Sequence, residues 1–289
     1  MSARSKDIRF AYSLISPTFL VIIGLLGFPL IYAIIQSFQK VTVYEPAGTF
    51  IGIENYLEAF ADPNFLGSIL RSFIFVTASL SGALVIGLMI AMLLNREIPG
   101  RRILRALILL PFIVSEVSVG VIWQWMFSPQ LGIINHLFRF LSLPTIRWFS
   151  DPGWAMFAII FTNIWRLTPF AVLVLLAGLQ SIDRNYYEAA YIDGGSHWQV
   201  FSMITIPMIK PMMLVTVVYL SFASFNQFAT VFALTGGGPG RATEVMALYM
   251  YRTAFQHFNW GYGSALAVLL FIINVGLSMT YSKVLEKKD

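Results

Sequence analysis

Six long apolar runs, Ala11–Phe38, Ser72–Leu94, Ala106–Phe127, Trp154–Leu179, Pro211–Leu234 and Gly261–Ser282, carry only two formal charges, Glu116 and Arg166. A helix needs about 20 mostly apolar residues to cross about 30 Å of hydrocarbon, so each run is long enough to span. Strands of a membrane barrel would instead alternate polar and apolar residues over about 10 positions, and none of the runs does. The pattern predicts an all-α fold, a polytopic membrane bundle of six transmembrane helices in one domain covering residues 1–289. The composition agrees: 57% of the chain is hydrophobic and 11% charged, where a soluble domain carries about 25% charged residues. A soluble enzyme and a disordered chain are thereby excluded. The first run is uncharged well beyond the ~7–15 residues of a signal-peptide core, which predicts a retained helix.

Cytoplasmic segments of membrane proteins are enriched in Lys and Arg. With both termini in the cytoplasm, the inner segments hold Arg4, Lys6, Arg9, Arg96, Arg101, Arg102, Arg105, Arg184, Lys210, Lys283, Lys287 and Lys288. The outer ones hold Lys40, Arg71, Arg139, Arg147, Arg241 and Arg252. The net charge of +5 is then a signal of topology and calls for no nucleic acid. Trp123, Trp125, Trp148, Trp154 and Trp260 fall at the outer helix ends, as interfacial anchors would.

The loop 180–210, QSIDRNYYEAAYIDGGSHWQVFSMITIPMIK, carries the most information. Asn185 precedes Glu188 by three residues and Ser196 precedes Gln199 by three, so each pair predicts a capping box at a helix start. Asp193-Gly194-Gly195 between them is turn chemistry. Pro207 and Pro211 are expected to interrupt the backbone before the next span. The expectation is a pair of short cytoplasmic helices offering Tyr186, Tyr187, Trp198 and Phe201 to a partner's groove.

Glu188-Ala189-Ala190, Gly194 and Ile204-Thr205-Ile206-Pro207, in this spacing and on this side, resemble the EAA loop of ABC importer permeases of type I. The longer phrase from Leu176 to Pro207, with Leu109-Leu110-Pro111-Phe112 and Leu234-Thr235-Gly236-Gly237-Gly238-Pro239, is similar to the sugar branch of that family, which includes maltose and glycerol-phosphate permeases. The family pattern usually ends in Leu-Pro, where this chain has Ile206-Pro207.

The resemblance implies that Tyr187, Glu188, Ala189, Ala190, Asp193, Gly194, Gly195 and Pro207 form a coupling loop docked on a cytoplasmic ATPase. It further implies two copies of that ATPase, holding ATP and Mg, a second permease of the same kind, an extracytoplasmic solute-binding protein, and a location in a bacterial or archaeal inner membrane among its lipids. No cofactor is expected in this chain. It has no G-x-x-x-x-G-K-[ST] phosphate loop, so ATP hydrolysis would belong to a separate polypeptide.

An ionisable residue at membrane depth is a functional candidate whose partner should be named. Glu116 and Arg166 lie at depths differing by only about 5 Å at 1.5 Å per residue and are expected to pair near the midplane, either fixing helix packing or lining the pathway. Ser221, Ser224, Asn226, Gln227 and Thr230 of the fifth run, with Asn163 of the fourth, supply groups that suit sugar hydroxyls, and Phe222, Phe225 and Phe228 supply faces that suit a sugar ring. Interhelical hydrogen bonding would use the same polar residues. His136, His197 and His257 show no ligand spacing, so no metal is expected. Without cysteine, an in-span histidine or a G-x-S-x-G elbow, an intramembrane enzyme is disfavoured. The competing reading is a stand-alone secondary transporter of a small polar solute. Such proteins often show repeated halves and discontinuous helices at a midplane ion site, and neither is clear in this sequence, although Pro111 and Pro169 are expected to kink the third and fourth runs.

Overall fold

In the computed structural model, residues 3–286 are described; Lys287 and Lys288, assigned above to the inner surface, lie outside them. The order is α1 (Ala3–Ile22), a π-helical turn (Ile23–Gly27), α2 (Phe28–Ser37), β1 (Gln39–Thr42), β2 (Glu45–Phe50), α3 (Glu54–Ala61), α4 (Pro63–Asn95), α5 (Arg101–Ile113), α6 (Glu116–Met126), α7 (Ile133–Phe140), α8 (Pro152–Gln180), α9 (Arg184–Ile192) and α10 (His197–Val200). A second π turn (Phe201–Thr205) leads to α11 (Ile206–Phe225), α12 (Ala229–Thr235) and α13 (Met246–Tyr251). A third π turn (Arg252–Gln256) precedes α14 (Trp260–Glu286). Among the described residues, five helical stretches are long and apolar enough to cross a membrane, and a sixth if the bent pair α5 and α6 counts as one span. The expected bundle is thus present, with its third span folded at 101°.

The sequence offers no linker, yet packing gathers the chain into two compact units. The first comprises the described residues up to Asp62 together with Met250–Leu269. Its apolar helix Leu14–Ser37 contributes no buried residue to its most apolar stretch. An antiparallel hairpin follows, absent from the sequence expectations, pairing Gln39 with Phe50 and Thr42 with Glu45. Buried Asn55 ties it to the helix end, donating from Nδ2 to the carbonyls of Ser37 and Gln39 at 2.9 and 3.0 Å.

The second unit, Pro63–Tyr249 with the described residues from Leu270, carries the loop 180–210 and is built on α4 against α8. Asp151 caps α8 by accepting from the amides of Gly153 and Trp154, and Pro152 opens the helix. A Cβ at Gly87 would stand 2.5 Å from that of Ala171, so the small pair sets how closely the two helices approach. Around them Ala83, Ala91, Leu167, Leu175, Ile209 and Leu220 are buried. A second cluster packs Trp123, Phe127, Phe161 and Trp165, mostly edge to face. Trp123 and Trp148 are 6% and 3% exposed: they are core residues and not the interfacial anchors expected, whereas Trp125 and Trp154 are exposed. The indole Nε1 of Trp148 donates to Asn135 at 3.2 Å, which explains how it can be buried.

Two of the expected spans are discontinuous. The third, Ala106–Phe127, breaks at Val114 and Ser115, both extended. Pro111 removes an amide from the preceding turn, and Ser115 restarts the helix by accepting from the Ser118 amide. The fifth, expected over Pro211–Leu234, instead runs unbroken from His197 to Phe225 and stops at Asn226–Phe228. Pro207 and Pro211 do not interrupt it. The π turn lets the Ile206 amide bond the Phe201 carbonyl, five residues back, and Pro207 falls in the first turn of α11, where its missing amide goes unneeded.

Candidate translocation site and coupling loop

Arg166 stands at the centre of α8, fourteen residues from either end, and is 8% exposed. Its Nη1 lies 3.1 Å from Glu116 Oε1, the ion pair expected from depth alone. Glu116 is the first residue of α6, where the positive end of the helix dipole favours a carboxylate. The break after α11 brings buried Gln227 into the same place. Its amide nitrogen is assigned toward the Glu116 carboxylate, at 3.1 and 3.2 Å, and its oxygen toward the Thr230 hydroxyl. Thr230 Oγ1 also lies 3.0 Å from the Glu116 carbonyl. One turn away, Asn163 Nδ2 donates to Ser224 Oγ at 3.0 Å.

Of the pathway candidates, Glu116, Asn163, Arg166 and Gln227 therefore converge with Ser224 and Thr230. Asn226 does not join them: it is exposed and caps its own helix, donating to the Phe222 carbonyl at 2.8 Å. Phe225 is also diverted, buried edge-on against Phe73, whereas Phe222 stays exposed. Two buried atoms of the cluster, Asn163 Oδ1 and Arg166 Nε, have no hydrogen-bond partner. Interiors satisfy nearly all such groups. The cluster thus has unused acceptor and donor capacity beside a half-exposed carboxylate, a set able to exchange hydrogen bonds with hydroxyls.

The loop forms the expected helix pair. The cap of α9 is Asp183, whose Oδ1 accepts from the Asn185 amide at 3.0 Å; the box expected between Asn185 and Glu188 does not form, because the helix starts before Asn185. The second box is present, with Ser196 and Gln199 satisfying each other's amides. Gly194 adopts φ +81°, and Gly195 donates to the Ala190 carbonyl at 2.9 Å, so the glycines turn the chain as read. Glu188 and Ala189 are exposed. Tyr187 packs partly buried on the α4–α8–α11 core rather than facing outward, and Phe201 is half-buried. The outward apolar surface is Tyr186, Ile192, Trp198 and Met203. A brace missed in the sequence links the two helices: Tyr191 OH lies 3.0 Å from His197 Nδ1. Its only sequence trace is a ring on each side of the glycine turn.

With this geometry in place, the chain can be set beside known proteins. A family model described as "Binding-protein-dependent transport system inner membrane component" matches residues 83–285. The chain belongs to this family. It is an inner-membrane transport component, as the Glu188–Pro207 resemblance implied. Relatives include the trehalose/maltose transport system permease protein MalF of Thermococcus litoralis, 33% identical over 96% of this chain and 94% of that protein. The sulfoquinovosyl glycerol transport system permease protein SmoG of Agrobacterium fabrum is 32% identical over 98% and 92%. The inner membrane ABC transporter permease protein YcjO of Escherichia coli is 34% identical over 94% and 92%. The fold matches a solved bacterial ABC transporter involved in import of the acidic polysaccharide alginate, with TM-score 0.83, 22% identity and 99% of each chain covered. The same holds for an alginate transporter solved with a pentasaccharide-bound periplasmic protein, at TM-score 0.81 and 22% identity over 96% and 94%.

Proposed function

We propose that this chain is one of two permeases in an ATP-driven importer of a sugar or sugar-like solute. The solutes for which its relatives are named support the solute class, and the converged cluster at Arg166 supports a polar pathway that both permeases complete. Two cytoplasmic ATPases, binding ATP and Mg, dock on the α9–α10 loop, and both termini share that side of the membrane. A solute-binding protein delivers the solute at the opposite face. The observation that carries the reading is mechanical continuity. α8 holds Asn163 and Arg166 and leads into α9, while α10 runs through its π turn into α11, which ends beside Ser224 and Gln227. Movement imposed at Glu188, Ala189 and Ala190 is thereby delivered to both halves of the cluster, a rigid-body route to alternating access.

Copurification with mass spectrometry should recover an ATPase, a second permease and a binding protein with the tagged chain. Glu188→Lys should abolish solute-stimulated ATP hydrolysis while leaving melting unchanged, because it reverses charge on an exposed docking turn. Normal transport in that variant would remove the coupling assignment. Activity of this chain alone in liposomes without ATP would return the secondary transporter, a reading that gains from the two broken helices.

A further inference from the structure

Three arginines, Arg101, Arg102 and Arg105, open α5 with no acidic residue in its first turn. Cations are disfavoured there by the helix dipole. Arg102 is exposed, but Arg101 and Arg105, one turn apart, are half-buried. Both reach toward the end of α8, where Gln180, with its amide oxygen assigned to face them, accepts from Arg101 Nη2 and from Arg105 Nη2, the latter at 2.8 Å. Among the described residues neither has an ion-pair partner, and the Nε of each is buried without a hydrogen bond. One amide and a helix C-terminus worth about half a charge fall short of two guanidinium charges.

An apolar groove begins at this pair. A hollow of about 230 Å³ is lined by Arg105, Ile108, Leu173, Leu176 and Gln180. Ile108 also lines a larger one of about 380 Å³, reaching Ile86, Ile90, Pro111, Trp165 and Pro169 between α4, α5 and α8. From Gln180 to Pro169 is eleven residues of helix, about 16 Å, close to half the ~30 Å hydrocarbon thickness. Two underpaired guanidiniums at the end of an apolar slot one leaflet long match a phosphate with an acyl chain attached.

We propose that Arg101, Arg105 and the groove between α4, α5 and α8 bind an anionic phospholipid, its phosphate on the two guanidiniums and one acyl chain along Leu173, Ile108 and Ile90. The site lies apart from the Arg166 cluster and the α9–α10 loop, and goes beyond the transport reading.

The test is native mass spectrometry of the full-length chain, with the subunits that copurify, in mixed micelles of phosphatidylglycerol and phosphatidylcholine with identical acyl chains. Both leaflet orientations are equivalent in a micelle, so the result does not depend on topology. Wild type should retain phosphatidylglycerol preferentially. Arg101→Gln and Arg105→Gln should each cut that preference about fivefold, while Arg102→Gln keeps it. Leu173→Trp, which fills the groove and leaves the charges, should lower retention as well, and it serves if the arginine variants fail to fold. Equal retention of the two lipids by wild type, as when a partner's helix fills the groove, overturns the proposal. So does an equal loss in Arg102→Gln, which marks a diffuse surface potential. Displacement of the lipid by millimolar inorganic phosphate would assign the arginines to the free anion instead.

Discussion

Arg166 keeps a guanidinium in the middle of a 29-residue helix, and its partners decide what that costs. Removing one member of a fully buried pair costs about 3–5 kcal/mol. The Glu116 side chain is 45% exposed, so screening reduces the expected loss for Glu116→Gln to about 1–3 kcal/mol. Replacing both members, Glu116→Leu with Arg166→Leu, should restore melting toward wild type, since no charge is then left unpaired. Solute uptake should stay low if the pair lines the pathway. A double variant that melts and transports normally would reduce the pair to helix packing. This pair was legible in the sequence because each of two apolar runs carries one formal charge and counting residues sets the two at similar depth; the break at Val114–Ser115 falls just before Glu116 and leaves the pair intact. Gln227 was nominated for its chemistry, but its contact with Glu116 was not legible: it exists because the fifth span stops at Asn226, and apolar periodicity does not report a stop.

At the level of elements, legibility follows the kind of signal. Caps and glycine turns are local, and Ser196–Gln199 and Gly194 appear where the residues put them. Asn185–Glu188 failed because Asp183 offers an equally good cap two residues earlier, and the earlier start adds two residues to the helix. Pro207 was misread for a different reason: a π turn carries the helix into the first turn of α11, where Pro207 is tolerated, and nothing in the FSMIT stretch announces it; Pro211 sits inside α11 without breaking it. The coupling loop should be sensitive to its turn in proportion. Ser196→Ala loses the box at about 1 kcal/mol. Gly194→Val forces a β-branched residue into a positive φ and costs more, about 1–3 kcal/mol. Both residues set the turn between α9 and α10. Both substitutions should therefore leave chain abundance near normal while lowering solute-stimulated ATP hydrolysis, with the valine variant the worse. Hydrolysis assays on the purified complex decide it, and unchanged stimulation in Gly194→Val would show that the loop tolerates a loose hinge.

For the molecule as a whole, the number and order of spans could be read from apolar runs, because the bilayer imposes its thickness on every one of them. The division into two packing units could not, since both are equally apolar and no linker composition separates them. The folded third span has one further consequence, and it concerns time. Ribosomes make Glu116 fifty residues before Arg166, so the carboxylate enters the membrane before its counter-ion exists. A charged residue at the bilayer centre opposes insertion by up to about 3 kcal/mol, and the bend at Val114–Ser115 cannot be locked until α8 arrives. Chains truncated at Leu143 and released from the ribosome should therefore insert the α5–α6 segment incompletely, and Glu116→Leu should improve them. Chains truncated at Ser181, which include Arg166, should insert that segment more completely. Glycosylation mapping of the two lengths measures this, and equal insertion at both would mean that the segment matures unaided. The residue that completes the site would then also be the one that closes a step of its assembly, which ties the pathway's polarity to the order in which the chain is born.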